Sequence, residues 1–356
     1  MFSGQRTRSA APGTEPSEPA RVDDRRDEPA VTAATMAPPE PETNAAPEEG
    51  DRAAAMARSE VYSRPMVAGR PVSGTSPQRL IYSLRRRMSS ELERREEELD
   101  TRLRRLVGVS RANTIAVISP KGGVGKTTTS FLIGDLLSSA LKLRVVAVDA
   151  NPDFGTLASL APDEARSENS MADLLEQSPE VDSAAELRRY ISHLPSGLHL
   201  LGTPAQADLM EDLTPERYRD LLQLLRRYYD VVILDLGTGI TDPLAHFAIQ
   251  QADQSVVVST PDWVTSRTVL DALTYLDLDR ATLVLNQAPR PRRHSGSRDV
   301  IESKFARRAM STRVTIPYDD RLRTMLDSGT YELAALDRAV RVPIKELGLT
   351  VGQWLM

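Results

Sequence analysis

The segment SPKGGVGKTTTS, residues 119–130, sets two lysines around three glycines and follows them with three threonines. Gly122, Gly123 and Gly125 let the backbone turn tightly and aim successive N–H groups, including that of Val124, at the oxygens of an anion. An apolar helix that begins at once adds its positive N-terminal end. The pattern is close to G-x-x-x-x-G-K-[ST], a loop that cradles nucleotide phosphates. Lys126 would then meet the β- and γ-phosphates, Thr127 would offer its hydroxyl to Mg²⁺, and Thr128 would border the same anion. Two letters depart from the pattern. Pro120 stands at the first glycine, and a second cation, Lys121, follows it.

A second stretch, YYDVVILDLGTG, ends an apolar run on Asp235. A carboxylate there can hold a Mg²⁺-bound water opposite Thr127. Gly237 and Gly239 would let the next loop approach a terminal phosphate and respond to its loss. The alternative is an aspartate that caps the following helix, and the glycine loop upstream favours the metal.

These groups need a scaffold that brings them together. TIAVIS, LRVVAVD, LHLLG, DVVILDL, QSVVVST, ATLVLNQ and RVTIP are β-branched, apolar runs suited to strands buried on both faces. Helical candidates lie between most of them: KTTTSFLIGDLLSSALK, NSMADLLEQ, PERYRDLLQLLRRYY, DPLAHFAIQQA and VTSRTVLDALTYL. Strand–helix alternation predicts an α/β fold with a mainly parallel sheet, right-handed crossovers and helices on both faces. The glycine loop, VDANPD, LDLGTG and LNQAPR all follow strands, so they converge on one sheet edge, where such folds bind ligands.

Composition bounds the rest. The chain has no cysteine, which excludes thiolate catalysis and cysteine-ligated metals, and its four histidines form no ligand-spaced cluster. A net charge of −5 argues against a protein that coats nucleic acid generally, but not against a local basic patch. No apolar run is long enough to span a bilayer and no signal peptide opens the chain, so the cytoplasm is the expected location. Three regions are predicted. Residues 1–76, rich in Pro, Ala and Glu, read as a disordered tail. Residues 77–111 read as an amphipathic helix and linker, with Leu80, Leu84, Met88 and Leu92, then Leu99, Leu103 and Leu106, on one stripe interrupted at Arg95 and Glu96. That helix, with Arg85, Arg86 and Arg87, would either meet a membrane surface or partner, or pack on its own domain or in a short coiled coil. Residues 112–356 form the phosphate-binding domain.

KGGVGKTT resembles the deviant Walker A loop of the MinD/ParA family of P-loop ATPases, and the resemblance runs over about residues 112–350. It implies ATP and Mg²⁺ as cofactors, ATP hydrolysis, expected to be slow here because of a departure at Asn151, and an ATP-dependent homodimer. Two subunits close face to face over two nucleotides, and Lys121 stands where the family has a lysine that reaches the partner's phosphates. VDANPD matches the family's second aspartate region. Asp149 falls on the first aspartate, here with a metal role. The second, which orients the attacking water, falls on Asn151, which can hydrogen-bond a water but cannot accept its proton. Asp153 is the candidate substitute. LVLNQ places Asn286 at a base-contacting position, and VTIPYDDRLRTMLDSGT places Pro317 beside the base.

The resemblance implies a switch that positions or regulates a cargo such as a chromosome or plasmid, the division site or a secretion complex, under an activating protein that the sequence does not identify. The alternative is a non-hydrolysing, ATP-bound scaffold that recruits partners through its N-terminal tail, as at a type VII secretion system, whose associated ATPases share the long proline-rich tail. Arg290, Arg292, Arg293 and Arg298, in QAPRPRRHSGSRD, would bind DNA or an acidic protein, or form a solvated loop. The C-terminal IKELGLTVGQWLM has Trp354 and Leu355 but one lysine and two glycines, which argues against the membrane-binding tail of the MinD branch.

Overall fold

The computed structural model describes residues 77–106, 108–151, 155–177, 181–203, 214–238, 243–273, 280–289, 305 and 312–356. The proposed tail over 1–76, Asp153, Gly239 and the arginines at 290, 292, 293 and 298 lie outside them. The described strands are β1 (Asn113–Ile118), β2 (Val145–Ala150), β3 (Ser192–His193), β4 (Leu198–Leu201), β5 (Val231–Leu236), β6 (Gln254–Ser259), β7 (Ala281–Ala288) and β8 (Thr312–Pro317). They form one sheet in the order β3-β4-β2-β5-β1-β6-β7-β8, parallel throughout except for the β3–β4 pair. Each of the seven strands expected from apolar runs is present. The two-residue β3 is too short to leave a pattern in sequence.

Helices cover both faces: α1 (Pro77–Arg105), α2 (Lys126–Leu141), α3 (Met171–Gln177), α4 (Pro215–Tyr228), α5 (Pro243–Gln251), α6 (Trp263–Ala272), α7 (Asp320–Asp327) and α8 (Arg338–Gln353). The alternation of β1 shows how the layers divide. Ile115 and Val117 pack with Phe131, Leu132 and Leu137 of α2 and with Val340, Ile344 and Leu347 of α8. Ala116 and Ile118 point to the other face, among Tyr218, Leu221 and Leu225 of α4. All six β1 residues are buried, as expected of a central parallel strand. Among the described residues no helix is long and apolar enough to cross a membrane.

α8 contains Pro343 and two glycines, features that weaken a helical reading. Packing explains one of them. A Cβ on Gly348 would lie 2.0 Å from Leu136 Cδ2, so glycine lets α8 close on α2. α8 also binds α1. Leu99 and Leu103 are buried with Leu136, Val342 and Leu349. The break in the α1 stripe at Arg95 and Glu96 is a charged seam with α8. Glu96 accepts from Arg341 at 2.8 Å and Lys345 at 2.9 Å, and Arg95 donates to Glu346 at 3.0 Å. Burial alone would raise the Glu96 pKa, but hydrogen bonds from Arg341 and Lys345 hold it at about 2. Of the two readings of this helix, packing on its own domain holds for the half from residue 90 onward. Leu80, Leu84, Met88 and the three arginines at 85–87 have side chains outside the described set.

Candidate functional site

The sheet order places the C-terminal ends of β2, β5, β1, β6 and β7 side by side, and the described residues of the expected segments follow them there. β1 runs into the glycine loop, which ends at Gly125, the N-cap of α2. Gly123 has φ 75° and Gly125 φ 90°, the left-handed region that favours glycine. A Cβ on Gly125 would also meet Asn286 Nδ2 at 2.1 Å. Val124, 2 % exposed, anchors the loop in the core. Thr129 fixes the first turn of α2 by donating its N–H and its hydroxyl to the Gly125 carbonyl at 2.9 and 2.8 Å.

Asp149 and Asp235 are register partners at the ends of β2 and β5, so two carboxylates stand on adjacent strands. Burial pushes Asp235 up to about 6, against hydrogen bonds from Thr127 and Ser130 and the charge of Lys126. Burial, and then the Asp235 charge, push Asp149 up to about 7. The Lys126 ammonium is lowered by its own burial, and Asp235 only partly offsets this. Buried oxygen donors that resist ionisation beside a half-desolvated ammonium suit a hard divalent cation and a polyanion, which together would balance the charges. Among the described residues no group of three or more His, Cys, Asp or Glu could hold a metal by itself, so such a cation would need ligands from the polyanion.

Asp149 has another task. It accepts the N–H of Leu157 at 2.8 Å and of Asn151 at 3.3 Å, and Gly155 lies flat against its carboxylate. It therefore ties Asn151 and Leu157 to the end of β2, and it is 1 % exposed. Asp153, the expected substitute for Asn151, falls outside the described residues.

Lys121 lies on the flank of the loop. Its ammonium donates to Thr265 Oγ1 of α6 at 2.8 Å. Asp262 caps α6 by accepting the Thr265 N–H at 2.9 Å. Burial would raise the Asp262 pKa, but hydrogen bonds from Thr260 and Thr265, with the Lys121 charge, hold it at about 2. A cavity of about 440 Å³ here is lined by Lys121, Gly122, Asp262 and Thr265 among others. A second, of about 390 Å³, brings Thr128, Asn286 and Pro317 together with Tyr318, Leu322 and Arg323. Asn286 is 5 % exposed and donates its amide to the Val124 carbonyl at 3.0 Å.

Sequence reasoning passed over Ser130, Asp262, Thr265 and Gln287. Ser130 could have been found, since it lies one helical turn beyond Thr127 and so on the same face. The others reach the loop from segments far away in the chain, Asp262 and Thr265 at the start of α6 and Gln287 at the end of β7, and nothing in the loop's own sequence points to them.

Residues 112–281 match the family described as AAA domain. A stretch of 168 residues, 47% of this chain, is 29% identical to the ESX-1 secretion-associated protein EspI of Mycobacterium tuberculosis H37Rv and spans 24% of that protein. Over 176 residues, 49% of this chain, it is 28% identical to the septum site-determining protein MinD of Synechocystis sp. PCC 6803, spanning 64% of that protein. The chain thus covers about a quarter of the first relative and just under two thirds of the second. The crystal structure of a ParA family ATPase from Chlorobium tepidum TLS matches with a TM-score of 0.54 at 26% identity, covering 69% of this chain and 98% of that one.

Proposed function

The chain belongs to the MinD/ParA family of P-loop ATPases, and on that premise we propose that it is a slowly hydrolysing, ATP-dependent dimer switch that positions or regulates a cellular cargo. The observation that carries this reading is the placement of two lysines on one glycine loop with separate duties. Lys126 opens α2 beside Asp235, inside the subunit. Lys121 stands on the flank, beside the cavity that reaches Asp262 and Thr265.

In this reading the loop amides, Lys126 and Thr128 would bind the triphosphate, and Thr127, Asp235 and its register partner Asp149 would hold Mg²⁺. Mg²⁺, when bound there, would supply charge neutralisation for the phosphates. Asn286 and Pro317 border the base. Asn151 orients water without taking its proton, so turnover is slow. Lys121 crosses to the partner's phosphates, which makes subunit closure depend on the nucleotide.

A second reading is a non-hydrolysing, ATP-bound scaffold that recruits partners through its N-terminal tail, and the likeness to the secretion-associated EspI supports only a secretion complex as its setting. One experiment separates the two. Single-turnover hydrolysis of ATP is followed beside light scattering, with and without DNA or anionic vesicles. A switch cycles between dimer and monomer at the rate of hydrolysis. A scaffold stays dimeric with ATP uncleaved. A chain that binds no ATP would sink both.

A further inference from the structure

We propose that Gln287, together with Asn286, is a positioning residue that holds the phosphate loop in its binding shape before nucleotide arrives. The proposal rests on the nucleotide-binding reading above. It concerns how the loop is preset, a duty separate from contact with the base.

The backbone at the end of β7 is unusual. Gln287 has φ 54°, in the left-handed region that non-glycine residues seldom adopt. The β7–β8 pairing is irregular between Leu285 and Ala288. In a regular strand, successive side chains point to opposite faces. Here two successive side chains reach one loop. Asn286 Nδ2 donates to the Val124 carbonyl at 3.0 Å, and Gln287 Nε2 donates to the Gly123 carbonyl at 3.1 Å. The strained residue makes that double contact possible.

The two carbonyls belong to consecutive peptide units, Gly123–Val124 and Val124–Gly125. A trans peptide is planar, with its N–H opposite its C=O. Holding both carbonyls toward β7 therefore turns the N–H groups of Val124 and Gly125 the other way. A Gly-Gly-Val-Gly segment samples many conformations when free. A flipped peptide would present a carbonyl to phosphate oxygens and repel them. The amide pair removes those states in advance, so its effect should appear in affinity for the phosphates. Gln287 also lines both cavities that flank the loop, the one with Lys121 and the one with Thr128 and Pro317.

The test uses the full chain and two variants, Gln287→Met, which keeps length but loses the donor, and Gln287→Gly, which also relieves the positive φ. Displacement of a fluorescent ATP analogue by ATP, GTP and inorganic tripolyphosphate, each with Mg²⁺, gives the affinities, and thermal unfolding reports the fold. Both variants should bind ATP and tripolyphosphate about five- to tenfold more weakly, the effect of roughly one lost hydrogen bond. The ATP-to-GTP ratio should not move. Gln287→Gly should melt no lower than wild type, so affinity falls without loss of stability, which a merely structural role would not produce. Affinities within about twofold of wild type would overturn the proposal. So would a loss confined to ATP with tripolyphosphate unchanged, which would assign Gln287 to the base. If Lys126→Ala abolishes binding while the Gln287 variants bind normally, this proposal alone falls. If wild type binds neither ATP nor tripolyphosphate, the nucleotide-binding reading falls with it.

Discussion

Lys121 and Thr265, 144 positions apart in the chain, are joined by a 2.8 Å hydrogen bond from ammonium to hydroxyl within one subunit. A lysine that reaches a partner's phosphates must first leave that hydroxyl and the nearby Asp262 charge. Thr265→Val removes the acceptor and keeps the shape, so dimers should form at a concentration roughly fivefold lower, the weight of one hydrogen bond. Lys121→Ala should bind ATP yet stay monomeric. Sedimentation with a slowly hydrolysed ATP analogue and Mg²⁺ checks both. A Lys121→Ala protein that dimerises like wild type would remove the crossing role.

Lys126→Ala should reduce Mg²⁺–ATP affinity by at least about a hundredfold. An ammonium about 4 Å from a phosphate charge is worth on the order of 4 kcal/mol at an effective dielectric near 20, before desolvation. Titration calorimetry reads this directly, and an unchanged affinity would dismiss the phosphate site.

Asn151→Asp should speed single-turnover hydrolysis about tenfold or more, since a positioned general base contributes 10²–10⁴. A rate that is unchanged or lower would assign the water to Asp153 or another group.

The carboxylate pair should make the nucleotide-free domain less stable as pH rises. Asp235 titrates near 6 when folded, against 3.8 as the ordinary value. Its favourable contribution is complete below pH 3.8 and is lost as pH rises through 6. Asp149 extends the loss toward 7. Asp235→Asn should therefore raise thermal stability at pH 7.5, by on the order of 1–3 kcal/mol, and have little effect near pH 4, while weakening Mg²⁺–ATP binding. Unfolding curves at the two pH values check the sign. Equal destabilisation at both would show that Asp235 is held by ordinary hydrogen bonding.

Glu96 has the opposite dependence. Its folded pKa lies near 2 against 4.5, so its stabilisation is present above pH 4.5 and lost as pH falls through 2. Glu96→Gln should cost about 1–2 kcal/mol at neutral pH, after allowance for solvent screening at this helix rim. Limited proteolysis should cut α1 sooner in the variant, and an unchanged rate would show that Leu99 and Leu103 hold the helix without the ion pairs.

The chain's own order of residues determined the apolar runs, the two loop lysines and the carboxylate Asp235. Parallel strands buried on both faces must be apolar throughout, and a phosphate loop must place glycine and lysine at short fixed spacing, so both leave local marks. Tertiary structure alone decided the rest. Thr265 meets Lys121 and Gln287 meets Gly123 because β6 and β7 lie on the same side of β1 in the sheet, an order that no single strand encodes. The sheet register set Asp149 beside Asp235, and their mutual burial gave both their raised pKa values. Gly348 and Pro343 weaken α8 as an isolated helix, and Arg95 and Glu96 interrupt the apolar stripe of α1. The helices pack there because Leu136 fills the space above Gly348, and Glu96 meets Arg341 and Lys345 from the other end of the chain.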